Sequence, residues 1–178
     1  LLTFNEVTTF LHEFGHALHG MFSKCTYGST SMDGVSRDFV ELPSQFMENF
    51  ALEKEWLDTW AVHYQTGEKI PQEYIDKIKK SSNFQAGYAS DRQLSFGMVD
   101  MAWHTITEPV TEPLVDFEQR AMGKTEIMPL VKGSAFSPAF GHIFAGGYAA
   151  GYYGYKWAEV LDADAFSLFK QNGIFDKT

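Results

Sequence analysis

The chain has 178 residues, with 14 Lys and Arg against 23 Asp and Glu, so its formal net charge is −9. That balance argues against a nucleic-acid partner, because a phosphate-binding surface needs clustered cations, and the densest basic stretch, Lys77, Lys79 and Lys80, reads as a solvated helix face. Hydrophobic residues make up 44% and aromatic residues 16%, which supplies a sizeable core and excludes disorder and collagen.

In chain order, the amino end lacks an initiator Met and a cationic leader and runs straight into a helical pattern, so a piece of a longer protein is expected. Thr3-Phe4-Asn5-Glu6 fits a capping box, and the first helix is predicted from Thr3 to about Phe22, before a Gly/Ser/Thr loop over 28–36. The one cysteine, Cys25, forms no intrachain disulfide. It is expected to be a small buried hydrophobe in a reducing, cytoplasmic setting. Asp38-Phe39-Val40-Glu41 announces a second helix continuing through Trp60, with Pro43 early enough to be tolerated. Phe46, Phe50, Trp56 and Trp60 on that helix are expected to pack on an absent part of the protein. Further helices are predicted near 71–82, 90–106, 113–122 and 155–171, with a Gly-rich loop region from Met128 to Gly154. The most apolar stretch, Ile143 to Tyr155, is Gly- and Tyr-rich and falls short of the roughly 18 residues of a membrane span, so no membrane partner is expected. The fold class is mainly α, with residues 1–178 read as one domain.

His12-Glu13-Phe14-Gly15-His16 is an H-E-x-x-H sequence, which on a helix places two imidazoles one turn apart within reach of one metal ion. At roughly 100° per residue, Val7, Phe10, Leu11, Phe14, Leu18, Met21 and Phe22 form an apolar stripe, while His12, His16 and His19 gather on the opposite side. A catalytic zinc needs a third protein ligand and an open position for water. His19 and Phe22 stand where a metzincin has Gly and His, and the inverted motif is absent, so the third ligand is sought among later carboxylates. Glu41 is the best placed, near the start of the second helix, with Glu48 on the same face, Gln45 between them and Asp38 just before. Asp38 and Glu48 would serve as acceptors behind the ligands. An exposed acidic face is the alternative for that row, and the H-E-x-x-H motif tips the balance to the metal site. Ser44 and Cys25 show no base and orienter at a recognisable spacing, which disfavours a covalent nucleophile.

His12 through His19, then Arg37-Asp38-Phe39-Val40-Glu41-Leu42-Pro43-Ser44-Gln45 and Glu48-Asn49, closely resemble the thimet oligopeptidase family of zinc metallopeptidases, in the branch of oligopeptidase A and the peptidyl-dipeptidases. Phe140-Gly141-His142 through Gly154-Tyr155, Arg92 through Gly97 and Met101 through Thr105 look familial too. Met32-Asp33 stands where family members often carry Gly-Thr. The resemblance implies one zinc held by His12, His16 and Glu41, Glu13 as general base, and His142, Tyr148 and Tyr155 as groups that bind the substrate backbone or the tetrahedral intermediate. It also implies a zincin-like helical catalytic core, part of a two-lobed protein with a deep channel, acting on short peptides as an oligopeptidase or peptidyl-dipeptidase. The amino-terminal half of that protein would be the core's partner. A zinc-binding module without activity, and a redox protein acting through Cys25, are the competing expectations.

Overall fold

A computed structural model describes residues 1–129 and 131–177. Among these residues seven α-helices follow one another: α1 (Phe4–Met21), α2 (Leu42–Glu48), α3 (Lys54–Leu57), α4 (Gln72–Ser82), α5 (Ala86–His104), α6 (Leu114–Met122) and α7 (Gly154–Asn172), with short 3-10 turns between α1 and α2, α2 and α3, and α6 and α7. Among the described residues the one β feature is an isolated bridge between Val62 and Lys69. No helix among them is long and apolar enough to cross a membrane. The chain divides into two compact units, Leu1–Phe84 with Trp157–Thr178, and Gln85–Lys156.

In the first unit, α1 begins where its capping box predicts. The Thr3 main-chain N–H donates to Glu6 Oε2 at 2.6 Å, and the Glu6 N–H donates to Thr3 Oγ1 at 3.3 Å, so two orphan donors of the first turn are satisfied reciprocally. The helix buries Val7, Leu11 and Gly15, spaced one turn apart, and Val7 and Leu11 pack with Ala51 and, at the margin, Phe4, Met47 and Trp56. The expected apolar stripe is therefore only partly a core. Phe10, Phe14, Met21 and Phe22 stay exposed, and the buried line runs between that stripe and the histidines.

The second predicted helix is broken into pieces. Asp38 does not cap it; its carboxylate accepts from Ser36 Oγ at 2.6 Å within a turn, and α2 starts only after Glu41. Seven residues later the Asn49 amide donates to the carbonyls of Gln45 and Phe46 and to Asp162 Oδ1, competing with continued helix, and the chain tightens to a 3-10 turn over Asn49–Leu52. The aromatics of this stretch mostly find partners within the unit. Phe46 and Phe50 pack edge-on against Phe166 and Phe169 of α7, with ring centroids 5.2–5.9 Å apart, Trp56 is half-buried, and Trp60 remains exposed. Cys25 is exposed, not buried, and its Sγ–H points to the Thr30 carbonyl at 3.0 Å.

In the second unit, α5 presents Phe96 and Val99 to a core completed by Met122 of α6 and by Ile143 and Tyr152 from the loop region. That loop region, 131–153, has 3-10 turns at Ser137–Ala139 and Gly141–Ile143 but no longer helix. Two of its anchors to the helices are buried carboxylates. Glu118 of α6 accepts the main-chain N–H groups of Phe136 and Ser137 at 2.9 and 2.6 Å, and Asp100 of α5 accepts those of Ala150 and Tyr152, both at 2.9 Å.

Candidate metal centre and aromatic loop

The centre in the first unit exists because two helices pass unusually close. Gly15 of α1 faces the backbone of α2, and a Cβ there would lie 2.4 Å from the Pro43 carbonyl oxygen and 2.6 Å from Ser44 Cα, so only glycine permits this crossing. It places Glu41, just before α2, under the two imidazoles. Glu41 is 2% exposed, and its Oε2 lies 3.3 Å from His12 Nε2 and 3.3 Å from His16 Nε2. Ser44 Oγ donates to the same oxygen at 2.8 Å, which fixes the carboxylate. The two rings meet edge to face at 5.1 Å between centroids.

Glu48 completes the arrangement from behind, with Oε1 2.7 Å from His12 Nδ1. An N–H donated there sets the tautomer and aims Nε2 at the centre. The hydrogen bond His12 donates to Glu41, followed by that to Glu48, raises its pKa from the usual imidazole range to about 10. A site that holds a proton so firmly between two carboxylates is one that favours a cation. One potential ligand atom from each of His12, His16 and Glu41 lies within 4.8 Å of the others. Two imidazoles and a carboxylate, with one ring oriented by a second carboxylate, form the donor set of a catalytic zinc, so the residues fit that metal.

Around this centre, Glu13 is exposed between the two histidines. Asp38 sits in the turn preceding Glu41, held by Ser36. His19, the third imidazole of the same helix face, turns edge-on to Phe39 at 6.4 Å, and its Nδ1 is buried without a hydrogen-bond partner among the described residues. Ser44, whose sequence context offers no base to make it a nucleophile, uses its hydroxyl to support Glu41.

In the second unit the loop and the first turn of α7 bring His142, Tyr148 and Tyr155 together. Ring centroids are 6.0 Å apart for His142 and Tyr148, 6.4 Å for His142 and Tyr155 and 5.1 Å for Tyr148 and Tyr155. Two glycines make the turn possible. A Cβ on Gly146 would come within 2.9 Å of the His142 Cα, and Gly147 has a φ of +80°, the left-handed region glycine enters freely. Asp100, which holds the far side of this loop, carries no motif, and sequence reasoning missed it. The one available signal is a charged residue within the Phe96, Val99 periodicity of an otherwise apolar helix face.

Comparison with known proteins places these features in context. A sequence profile described as Peptidase family M3 matches residues 1–178. The chain is 48% identical over 178 residues to an organellar oligopeptidase A, chloroplastic/mitochondrial, of Arabidopsis thaliana, covering 99% of this chain and 22% of that protein. It is 45% identical over 183 residues to oligopeptidase A of Escherichia coli, covering 99% and 26%, and 40% identical over 175 residues to a dipeptidyl carboxypeptidase of Salmonella typhimurium, covering 97% and 26%. The chain thus spans about a quarter of the length of these relatives.

Proposed function

The chain belongs to peptidase family M3, and from that premise we propose that residues 1–178 form the zinc-dependent catalytic region of a peptidase that hydrolyses short oligopeptides. The observation that carries the reading is the convergence of His12, His16 and Glu41 within 4.8 Å, with the His12 ring oriented by Glu48. These three residues would hold one zinc, which when bound lowers the pKa of a water and polarises a carbonyl.

Glu13 is the general base: it takes the proton of the attacking water and returns it to the leaving amine. Ser44 is buried and donates to Glu41, so no side-chain hydroxyl at this site serves as a nucleophile and the reading involves no acyl-enzyme. The Tyr148 and Tyr155 hydroxyls and the His142 ring are the donors for the peptide backbone or the oxyanion. Asp38 is assigned a supporting role beside Glu48. The remainder of a longer chain is the proposed partner, and the exposed Phe10 and Phe14 rings, stacked at 5.9 Å, are the surface it would cover. A reducing compartment such as the cytoplasm suits the single cysteine.

The competing reading is a zinc-binding module without peptidase activity, favoured by the chain's quarter share of its relatives. Elemental analysis combined with a peptide-cleavage assay separates the two. One zinc per chain with cleavage that Glu13→Gln abolishes while zinc is retained supports the catalytic reading. Zinc without cleavage in the parent supports the module, and cleavage indifferent to Glu13→Gln removes Glu13 as the base.

A further inference from the structure

Asp100 lies near the end of α5 and is 1% exposed. A carboxylate buried to that extent must be supplied with hydrogen-bond donors. It has two from the main chain: the Ala150 N–H donates to Oδ1 and the Tyr152 N–H to Oδ2, both at 2.9 Å; His104 Nδ1, 2.8 Å from Oδ1, is hydrogen-bonded to the Asp100 carbonyl. Both main-chain donors belong to the segment between Tyr148 and Tyr155.

Ala150 itself is in the left-handed region, with a φ of +52°. An L-residue with a Cβ stays there only where its surroundings over-determine the conformation. The loop is gripped a second time two turns earlier on the same helix, where the Tyr152 hydroxyl donates to Gln93 Oε1 at 3.1 Å. Tyr148 and Tyr155 therefore flank a segment whose backbone is fixed at 150 and 152 by one side chain.

We infer that Asp100 is a positioning residue of the peptidase: by clamping the Ala150 and Tyr152 N–H groups it holds Ala150 left-handed and thereby sets where Tyr148 and Tyr155 present their hydroxyls. The inference rests on the reading of those tyrosines as substrate-facing groups. Glu118 provides an internal control, since it accepts the N–H groups of Phe136 and Ser137 in the same way but upstream of His142.

Amide hydrogen exchange of the full chain tests the clamp without reference to activity. Ala150 and Tyr152 should be protected in the parent and in Glu118→Gln, and should exchange on the order of a hundredfold faster in Asp100→Asn. Unprotected amides at 150 and 152 in the parent would overturn the inference. Ala150→Gly adopts the left-handed conformation freely, so adding it to Asp100→Asn supplies a folded variant should the single change prevent folding.

The catalytic arm compares zinc-loaded proteins. Asp100→Asn should lower kcat about ten- to a hundredfold with KM and zinc content little changed, and the double variant with Tyr148→Phe should be no slower than Tyr148→Phe alone. Multiplicative losses would show that Asp100 does not act through Tyr148 and would also overturn the inference. A zinc-loaded parent that cleaves no peptide counts against the proposed function instead, and exchange at 150 and 152 still decides the clamp.

Discussion

The imidazoles of α1 and the tyrosines of the Gly-rich loop are positioned by opposite means. His12 and His16 take their spacing from one turn of regular helix, and what they need from elsewhere is a single close crossing at Gly15 and one buried carboxylate, Glu41. Tyr148 takes almost nothing from regular structure, and Tyr155 only the first turn of α7. Their backbone passes through two left-handed residues, Gly147 and Ala150, and is tied to a helix some fifty positions away in sequence by Asp100. A helix keeps the spacing of its side chains when a neighbour is lost, whereas an irregular loop depends on every hydrogen bond that replaces the missing ladder.

The largest effect should come from the metal centre itself. Glu41→Ala and His16→Ala each remove one of three ligands, and zinc content measured by elemental analysis should fall from one per chain to about a tenth of that or less at micromolar metal. The loop variants Tyr148→Phe and Tyr155→Phe should leave zinc content unchanged. Zinc loss in the tyrosine variants would mean that the two regions are not separable in the way their construction suggests.

Next comes the crossing. Gly15→Ala forces a Cβ to within 2.4 Å of the Pro43 oxygen and 2.6 Å of Ser44 Cα, both backbone atoms that cannot swing away, so α1 and α2 must separate at a cost of about 1–3 kcal/mol or more. Calorimetry should show Tm lowered by about 2–4 °C per kcal/mol for a chain of this size, together with weaker zinc binding. Gly20→Ala, on the same helix, meets only Met32 Sδ at 3.5 Å and should leave both unchanged.

This contrast also explains what could be read from the sequence. The H-E-x-x-H spacing, the Thr3 capping box and the register that brings Glu48 round with Glu41 are local, and local periodicity survives folding, so α1, α4, α5, α6 and α7 fall close to their predicted spans. The helix expected from Asp38 to Trp60 did not survive. Glu41 is turned toward the histidines and Asn49 toward Asp162, and each of those tertiary bonds displaces a helical or capping one. The exposure of Phe10 and Phe14 and the burial of Gly15 were illegible for a related reason: which edge of an apolar stripe is covered depends on where the next helix crosses, and that is set by a residue without a side chain. Asp100 offers only the faint signal of a charge on an apolar helix face, since its partners are main-chain N–H groups that every residue carries.

Proton competition sharpens the helical half of the comparison. His12 is raised to about 10, first by Glu41 and then by Glu48, from an ordinary value near 6.5. In the metal-free chain this group contributes stability that is fully present below about pH 6.5 and is lost as pH rises through 10. Zinc binding runs the other way, because the proton must leave before Nε2 can coordinate. Affinity measured by competition with a chelator should therefore rise by about tenfold per pH unit between pH 7 and 10. Glu48→Gln should weaken zinc about ten- to a hundredfold at high pH and flatten that slope near pH 7, since the variant binds the competing proton less tightly.

The smallest effect separates a helix end from a helix interior. Thr3→Ala removes the Oγ1 that accepts the Glu6 N–H, a change that typically costs a cap about 1 kcal/mol, or about 2–4 °C in Tm here. His12 lies more than two turns from that end, so fraying should stop short of it and zinc affinity at pH 7.5 should not move. The capping interaction also carries its own pH signature. The Thr3 main-chain and side-chain hydrogen bonds hold the Glu6 carboxyl below its usual value of 4.5, so the stabilisation is present above that value and fades as pH falls through the lower folded one. The Tm difference between parent and Thr3→Ala should then shrink between pH 5 and pH 3. A constant difference across that range would mean that the hydrogen bond the Thr3 hydroxyl donates to the Glu6 carboxylate contributes nothing. A change in zinc affinity would mean that the helix carrying the ligands is held as delicately as the loop carrying the tyrosines.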